Sequence, residues 1–337
     1  MSPSWRFMQT GTTSSLVGVS VVNPQVVWAS GSLDVFLDEP LSPGVVLRTV
    51  DGGQSWQDVT PPGGEESHFQ DIEAFDRNHA LALAVGSGEA SKIYRTADGG
   101  TTWELAFQNE EADAFYDGIA FFDHRRGLAL SDPVQGKFPI LDTDDGGHTW
   151  QVTAGTGMPP ALSNEAARAT GTCLVARSPH DAWFGTQPQG PSRVFHTRDG
   201  GDTWSTAITP IPGAIPGVDP PPFGIASLAF RDAQHGVALG GSHPLTDAPS
   251  VVAVTADGGT TWSPVGSPAG FRFNMASVPT NAGDTLVAVG RSGSDFSTDG
   301  GHTWHMLDGT DLRGVSSKPH VACWAVGKNG TAAELIL

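Results

Sequence analysis

The eight residues TADGGTTW at 96–103 recur unchanged at 255–262, and four close variants stand elsewhere in the chain. These variants are TVDGGQSW (49–56), TDDGGHTW (143–150), TRDGGDTW (197–204) and STDGGHTW (297–304). The central aspartates of successive copies are 47, 47, 54, 58 and 42 residues apart. A repeat of roughly 40–50 residues predicts the blades of a propeller or the units of a solenoid.

Each residue type of the repeat has a structural role. An aspartate can accept N–H groups of its own turn, two glycines can adopt positive φ, and a tryptophan offers a large apolar face for packing. The leading serine or threonine can add a side chain–backbone hydrogen bond. We therefore predict that the repeated aspartates close hairpin turns and perform no chemistry: Asp51, Asp98, Asp145, Asp199, Asp257 and Asp299.

The sequence around each turn predicts four antiparallel strands. Two apolar runs separated by a polar turn precede it, as in IAFFDHRRGLALSD (119–132), a third run leads into the turn, and a fourth follows the tryptophan. The two-run pattern occurs a seventh time in VSSKPHVACWAVGKNG (315–330), with no DGG turn after it. Trp5, near the chain start, resembles a tryptophan that follows such a turn.

These patterns predict an all-β fold, a single seven-bladed β-propeller over residues 1–337 with four-stranded antiparallel blades. The N-terminal strand is expected to complete the last blade, because closing the ring removes an open sheet edge. The predicted blades are approximately 15–62, 68–109, 114–154, 168–209, 223–267, 272–308, and 312–337 together with 4–10.

The pattern S/T-x-D-G-G-x-T-W resembles the Asp-box, also called the BNR repeat. Residues 4–337 resemble the Ycf48-like family of seven-bladed propellers, the photosystem II stability and assembly factor-like proteins. That resemblance implies a propeller that binds or assembles with a partner. Asp-boxes also occur in sialidases, xyloglucan-active glycoside hydrolases and sortilin-type receptors, so the motif implies a fold and leaves the function open.

Composition limits the partners. The formal net charge is −18, from 36 acidic and 18 basic residues, and this predicts repulsion from nucleic acid and anionic membranes. The sequence contains no run of 18 apolar residues, so no membrane-spanning segment is predicted.

Cys173 and Cys323 lie in different repeats and are predicted to be free, buried thiols. The compartment stays open: cytoplasmic as the sequence stands, or secreted or periplasmic if a signal peptide has been removed.

Strand alternation predicts which face of the propeller carries a site. The DGG turns share one face with the turns between first and second strands, so the opposite face carries the loops after second strands and the links between blades. The long segments 32–44, 153–169, 210–224 and 242–250 fall on that second face. Long loops in a compact fold are frequently functional, and prolines stiffen the segment at 210–224.

The ends of first and second strands supply candidate site residues near the axis of that face. Tyr116, Asp117, Asp132 and Glu89 are the candidate catalytic residues, since paired carboxylates and a tyrosine can serve acid–base or nucleophilic chemistry on a glycoside. Arg168, His243, Asn274 and Arg313 are the candidate ligand-binding residues. The alternative is that Asp117 and Asp132 cap strand ends and Tyr116 packs.

Two functions follow. The first is a non-catalytic binding or assembly module that engages a protein or glycan partner on the loop-rich face. The second is a carbohydrate-active hydrolase or lyase whose carboxylates and tyrosine lie at the channel mouth, so whether the protein is an enzyme stays open. We expect no cofactor, because no phosphate-binding loop occurs, and no metal site, because the histidines are scattered and no HxxxH or CxxC spacing is present.

Overall fold

The computed structural model describes residues 3–32, 43–153, 155–168, 170–177, 179–213, 224–241, 250–280, 283–318 and 321–337. They form seven four-stranded antiparallel sheets arranged as the blades of a propeller. The strands of blades one to four are β2 Ser15–Val21, β3 Val27–Ser32, β4 Val45–Thr49, β5 Gln57–Asp58; β6 His68–Ala74, β7 Ala80–Val85, β8 Lys92–Thr96, β9 Glu104–Gln108; β10 Tyr116–Phe121, β11 Gly127–Ser131, β12 Ile140–Thr143, β13 Gln151–Val152; and β14 Leu174–Arg177, β15 Asp181–Gly185, β16 Pro191–Thr197, β17 Ser205–Pro212.

The remaining strands complete the ring. Those of blades five to seven are β18 Ile225–Phe230, β19 Gly236–Gly240, β20 Val251–Thr255, β21 Ser263–Pro264; β22 Asn274–Thr280, β23 Gly283–Gly290, β24 Gly293–Ser297, β25 His305–Asp308; and β26 Leu312–Lys318, β27 Ala322–Gly327, β28 Thr331–Ile336, β1 Ser4–Gln9. The described helices are short 3₁₀ turns at Gly64–Glu66, Gly88–Ala90 and Lys328–Gly330.

The N-terminal strand closes the ring, as the sequence predicts. β1 pairs antiparallel with β28 from Ser4 opposite Ile336 to Gln9 opposite Thr331. Trp5 packs against the apolar cluster between blades six and seven, and its indole N–H donates to Ser294 Oγ at 2.9 Å. The predicted all-β, seven-bladed fold with a composite last blade is therefore confirmed.

The six DGG turns share one hydrogen-bonding scheme. In the first, Thr49 Oγ1 donates to Asp51 Oδ1 at 2.8 Å and accepts the N–H of Gly53 at 2.9 Å. Asp51 also accepts the N–H of Ser55 at 2.9 Å and its hydroxyl at 2.6 Å. Both glycines of every turn have φ between 72° and 109°, where a side chain would be strained. The turns therefore close on their own side chains.

The apolar core is divided among the blade junctions. Seven clusters of buried residues each join two neighbouring blades. The tryptophan after a DGG turn packs into the junction with the preceding blade, as Trp56 does against Trp324 with ring centroids 6.2 Å apart. Both cysteines, Cys173 and Cys323, are free and buried, as predicted.

The propeller has two distinct faces. The DGG face carries the six DGG turns and the turns between first and second strands. The loop face carries the segments after second strands and the links between blades. Parts of the predicted long loops, at 33–42, 214–223 and 242–249, lie outside the described residues. No helix within the described residues is long and apolar enough to cross a membrane.

Candidate functional site

Asp117 and Asp132 lie at the loop-face end of blade three. Tyr116 and Ser131 are cross-strand partners in β10 and β11, and a bulge directly after Tyr116 takes Asp117 out of the pairing register. Asp132 follows β11, and its N–H donates to the carbonyl of Phe115 at 2.9 Å. The two carboxyls are close enough that the charge of Asp132 raises the pKa of Asp117.

Burial governs this carboxyl pair. Asp117 is only 2% exposed, and its Oδ2 has no hydrogen-bond partner among the described residues. Burial first, and then the charge of Asp132, raises the pKa of Asp117 well above its usual range. Burial also raises the pKa of Asp132 to about 6, although the N–H of Ala167 donates to its Oδ1 at 2.8 Å. Since two buried like charges disfavour joint ionisation, the pair is favoured to keep one proton near neutral pH.

The other candidate catalytic residues lie on either side of a blade junction. Glu89 is exposed in the 3₁₀ turn Gly88–Ala90, after the second strand of blade two. Tyr116 is 2% exposed and packs edge-on against Phe107, with ring centroids 5.4 Å apart. Burial raises the pKa of Tyr116 to about 12, so its hydroxyl stays protonated near neutral pH.

The candidate ligand-binding residues make protein contacts. The guanidinium carbon of Arg168 lies 5.7 Å from the ring centroid of Phe271, in the link to blade six. Arg313 is 2% exposed and donates two hydrogen bonds to Asp311, each 3.0 Å long. Asn274 is also buried. His243 lies outside the described residues.

A segment of blade four, Thr170–Thr172, contacts blades five and six near the axis. Thr170 Oγ1 donates to the carbonyl of Ala226, and the carbonyl of Thr170 accepts from Asn274 Nδ2 at 2.6 Å. Thr172 Oγ1 lies 2.8 Å from Ser227 Oγ and 2.8 Å from Asn274 Oδ1. The side chain of Asn274 therefore ties this segment to blade six.

The same segment reaches blade two. Gly171 has φ of +74°, and a Cβ added to it would lie 3.4 Å from Asp71 Oδ1. Asp71 in turn accepts the N–H of Ile119, in blade three, through Oδ2 at 2.9 Å. Residues 170–172 therefore approach blade two as well as blades five and six, which places this segment near the axis of the loop face.

A groove opens on the loop face between blades two and three, away from this axial segment. Its volume is about 840 Å³. Phe107, Tyr116, Phe138, Val134 and Val152 supply its apolar lining. Tyr116 and Phe138 are buried beneath it, whereas the side chain of Val152 is 62% exposed. The groove therefore offers an apolar surface large enough for side chains of a bound molecule.

The rim of this groove is charged and held in place. Glu110, Glu111 and Lys137 are exposed and line it. Buried Asn109 supports the two glutamates: its Oδ1 accepts the N–H of Glu111 at 3.0 Å, and its Nδ2 donates to the carbonyl of Glu111 at 2.8 Å. Lys137 Nζ donates to the carbonyl of Gly155 at 2.9 Å. The groove is therefore preformed.

Sequence reasoning missed the ion pairs that anchor the loop face. Glu165 is buried and receives hydrogen bonds from Arg193 and Thr186, which fixes part of the segment 153–169. Arg272 and Asp295 form a second pair, 2.7 Å long, with both side chains 1% exposed. The available signal was a charged residue inside or beside an apolar strand run, as Arg193 stands in PSRVFHT (191–197).

Blade two carries two further carboxyls near the axis. Burial raises the pKa of Asp71 to about 7, although the N–H groups of Ile119 and Ile72 lower it. Burial, together with the charge of Asp71, raises the pKa of Glu73 to about 8, although Lys318 acts in the opposite direction. Within the part of the chain that the structure describes, no group of three histidine, cysteine or acidic side chains is arranged to hold a metal ion.

Comparison with solved structures identifies several propellers of the same architecture. YCF48 bound to D1 peptide superposes with a TM-score of 0.64 and 16% identity, covering 99% of this chain and 97% of that one. The fold is similar to that of YCF48. YCF48 from Cyanidioschyzon merolae gives a TM-score of 0.64 and 14% identity, covering 98% of both chains.

The structure of an enzyme also superposes on this fold. An ancestral GH74 enzyme gives a TM-score of 0.63 and 12% identity, and the superposition covers 98% of this chain and 46% of that one. No family model matches the sequence, and no curated protein matches it either. Identities this low show a shared fold only.

Proposed function

We propose that this protein is a non-catalytic binding or assembly module that holds a segment of a partner protein on its loop face. The observation that carries the proposal is the axial segment Thr170–Thr172. Its bonds to Asn274 and Ala226 hold chain near the axis, where a propeller would otherwise receive a ligand. A groove between blades two and three is open on this face, and it suits side chains of an extended peptide.

The negative charge of the chain and of the groove rim favours a partner segment with basic residues. The chain has a formal net charge of −18, and Glu110 and Glu111 project at the groove rim. Lys137, the basic residue of the rim, already donates to a backbone carbonyl. We therefore assign the groove to a peptide segment that places an apolar side chain beside Phe107 and Tyr116, with lysine or arginine next to the two glutamates.

The comparisons favour a peptide over other ligand classes. One structural neighbour is described as YCF48 bound to D1 peptide, and it has the same full-length propeller architecture. That likeness supports a protein partner for this chain and leaves the identity of the partner to experiment. A glycan partner on the same face is the outcome that a glycan array would reveal in place of peptide binding.

The test is a binding measurement with fluorescent peptides. A library that varies one apolar and two basic positions is titrated by fluorescence anisotropy at low and physiological salt. We expect basic peptides to bind, with an affinity that falls as salt rises. The double variant Glu110→Gln/Glu111→Gln should weaken binding about 2- to 30-fold, since each exposed ion pair contributes roughly 0.2–1 kcal/mol.

A matched control exists in the previous blade link. Glu65 and Glu66 are adjacent, exposed glutamates between blades one and two. Glu65→Gln/Glu66→Gln removes the same charge from the same face and should leave peptide affinity unchanged. Equal losses in the two double variants would show that only net charge matters. Absence of binding to any peptide would contradict the proposed function.

A hydrolase or lyase acting on carbohydrate is the second candidate. The coupled carboxyls favour it, because glycosidases use two carboxyls whose pKa values are set by their surroundings, and here burial raises the pKa of Asp132 to about 6. In this hypothesis Tyr116, Asp117, Asp132 and Glu89 are catalytic. The ligand is held by Arg168, His243, Asn274 and Arg313.

Turnover decides between the two candidates. A panel of glycans is incubated with the wild type and with Asp132→Asn and Tyr116→Phe. The hydrolase hypothesis expects product from the wild type, loss of product in both variants and little change in melting temperature. The binding-module proposal expects no product from any of the three proteins.

A further inference from the structure

One position of the second strand faces the next blade, and large side chains occupy it at most junctions. Cross-strand pairing defines the position: Trp28 lies opposite Arg48, and Trp183 lies opposite His196, one residue before the threonine of each DGG turn. The residues at this position in blades one to four and seven are Trp28, Leu81, Leu128, Trp183 and Trp324.

An indole ring fits this position closely between blades four and five. Trp183 is fully buried and stacks on Phe230 and His196, with ring centroids 3.9 and 4.5 Å apart. Its indole N–H donates to the carbonyl of Gly258 at 2.9 Å. Gly258 is the first glycine of the DGG turn in blade five. This junction therefore shows space for an indole and one acceptor for its N–H, whereas the equivalent Trp28 donates to the carbonyl of Asp76 at 3.2 Å.

Blade five has a smaller residue at the same position. Val237 lies opposite Val254 in the pairing of β19 with β20. A cavity of about 310 Å³ opens there, between blades five and six, on the DGG face. Ala229, Val237, Val254 and Leu286 are its apolar lining. Blade six also has a valine here, Val287, but the blade that follows it ends without a DGG turn.

The glycine whose carbonyl accepts the indole N–H at the filled junction has a counterpart in the lining of this cavity. Gly300, the first glycine of the DGG turn in blade six, lines it and corresponds to Gly258. In blade two, a third-strand side chain supplies a donor to the equivalent carbonyl, since Arg95 Nε donates to Gly146 O at 3.1 Å. In blade five the residues at both donor positions are valines, Val237 and Val254, whose side chains have no donor.

We propose that this cavity binds an indole ring or a similar planar aromatic ring bearing an N–H group. The ring lies against the apolar lining, and its N–H donates to the carbonyl of Gly300. Arg231, His235 and His302 stand at the mouth, where they meet the solvent side of the ring. The ring comes either from a free small molecule or from a tryptophan side chain of a partner. The site lies on the DGG face and is independent of the proposed peptide groove.

The test uses 5-fluoroindole as the probe and ¹⁹F NMR as the readout on the full-length protein. We expect broadening and a shifted resonance with a Kd on the order of 0.1–1 mM, as suits a fragment of this size. Val237→Trp should fill the cavity and abolish binding. Val237→Leu fills it in part, should weaken binding, and keeps the test valid if the tryptophan variant does not fold.

Two further probes test the hydrogen bond and the source of the ring. 5-Fluoro-1-methylindole lacks the N–H and should bind at least 5-fold more weakly than 5-fluoroindole. N-acetyl-tryptophanamide imitates a partner's side chain: competition with 5-fluoroindole assigns the site to a tryptophan, whereas its failure to compete assigns it to a free ring. Equal binding by the wild type and both Val237 variants, or no binding by the wild type at millimolar probe, would overturn the proposal.

Discussion

Aspartates of the DGG turns and carboxyls around the axis have opposite surroundings in one small fold. Asp257, on the DGG face, accepts the hydroxyl and the N–H of Thr261, and these bonds lower its pKa to about 2. Asp71, near the axis, is buried, and burial raises its pKa to about 7. The first environment stabilises the charge and the second disfavours it. The aspartates of the DGG turns therefore stabilise the fold. Ionisation of a buried aspartate near the axis costs free energy, and the repeat does not explain why an aspartate stands there.

The two faces also differ in how regularly they are built. Six nearly identical turns build the DGG face, and each closes on its own side chains. The loop face is built from unequal segments, anchored one at a time by pairs such as Glu165–Arg193 and Arg272–Asp295. Six equal turns on one face and unequal segments on the other are consistent with the proposal that the peptide partner is selected on the loop face.

The largest expected effect comes from breaking the ring, on which both faces depend. Deletion of residues 1–10 removes β1 and Trp5, which leaves β28 as an unpaired edge. We expect loss of the cooperative thermal transition or aggregation, because an open edge strand templates association. Calorimetry and size-exclusion chromatography measure this. A truncated monomer with an unchanged melting temperature would refute the closure by the composite blade.

A smaller effect is expected from one DGG turn. Asp199 accepts the N–H of Thr203 at 2.9 Å and the hydroxyls of Thr203 and Thr197. Asp199→Ala should lower the free energy of unfolding by about 1–3 kcal/mol, because the turn loses its acceptor. Urea denaturation measures the loss, and Asp199→Asn, which keeps one carbonyl acceptor, should lose less. Equal losses in the two variants would contradict this account of the turn.

The smallest of the stability effects separates the two kinds of aspartate by pH. The pKa of Asp132 is about 6 in the folded protein and 3.8 in a model compound, so the folded state binds the proton more tightly. Stability should therefore fall as pH rises from about 4 through 6. Asp132→Asn should flatten that decline by an amount on the order of 1 kcal/mol, since the coupled pair titrates broadly.

A turn aspartate should give the opposite dependence on pH. The pKa of Asp257 is lowered to about 2, so its contribution is present above pH 4 and is lost as pH falls. Asp257→Asn should therefore lower stability above pH 4 and remove the further loss of stability as pH falls below 4, so that the slope of the curve changes only on its acidic side. Denaturation curves from pH 3 to 8 test both variants. If Asp132→Asn also changes the slope only below pH 4, the two environments do not differ as described.

The repeat made most of the fold predictable, because turn chemistry and strand alternation are local properties of the sequence. The composite blade also followed, since Trp5 stands where a turn tryptophan would stand. The contacts around the axis were not predictable in the same way. Contacts such as Asn274 with Thr170 join residues 104 positions apart, and no local pattern encodes them. The groove rim was missed because Glu110 and Glu111 look like ordinary solvent-exposed charge in the sequence.

The central claim is that the DGG turns stabilise the protein and the groove on the loop face binds the peptide partner. Its most direct test measures melting temperature and peptide affinity together for Asp199→Ala and for Glu110→Gln/Glu111→Gln. We predict that the turn variant melts at a lower temperature and binds basic peptide like the wild type while folded. The groove variant should melt like the wild type and bind several-fold more weakly. Weakened binding in the folded turn variant, with unchanged binding in the groove variant, would contradict the claim.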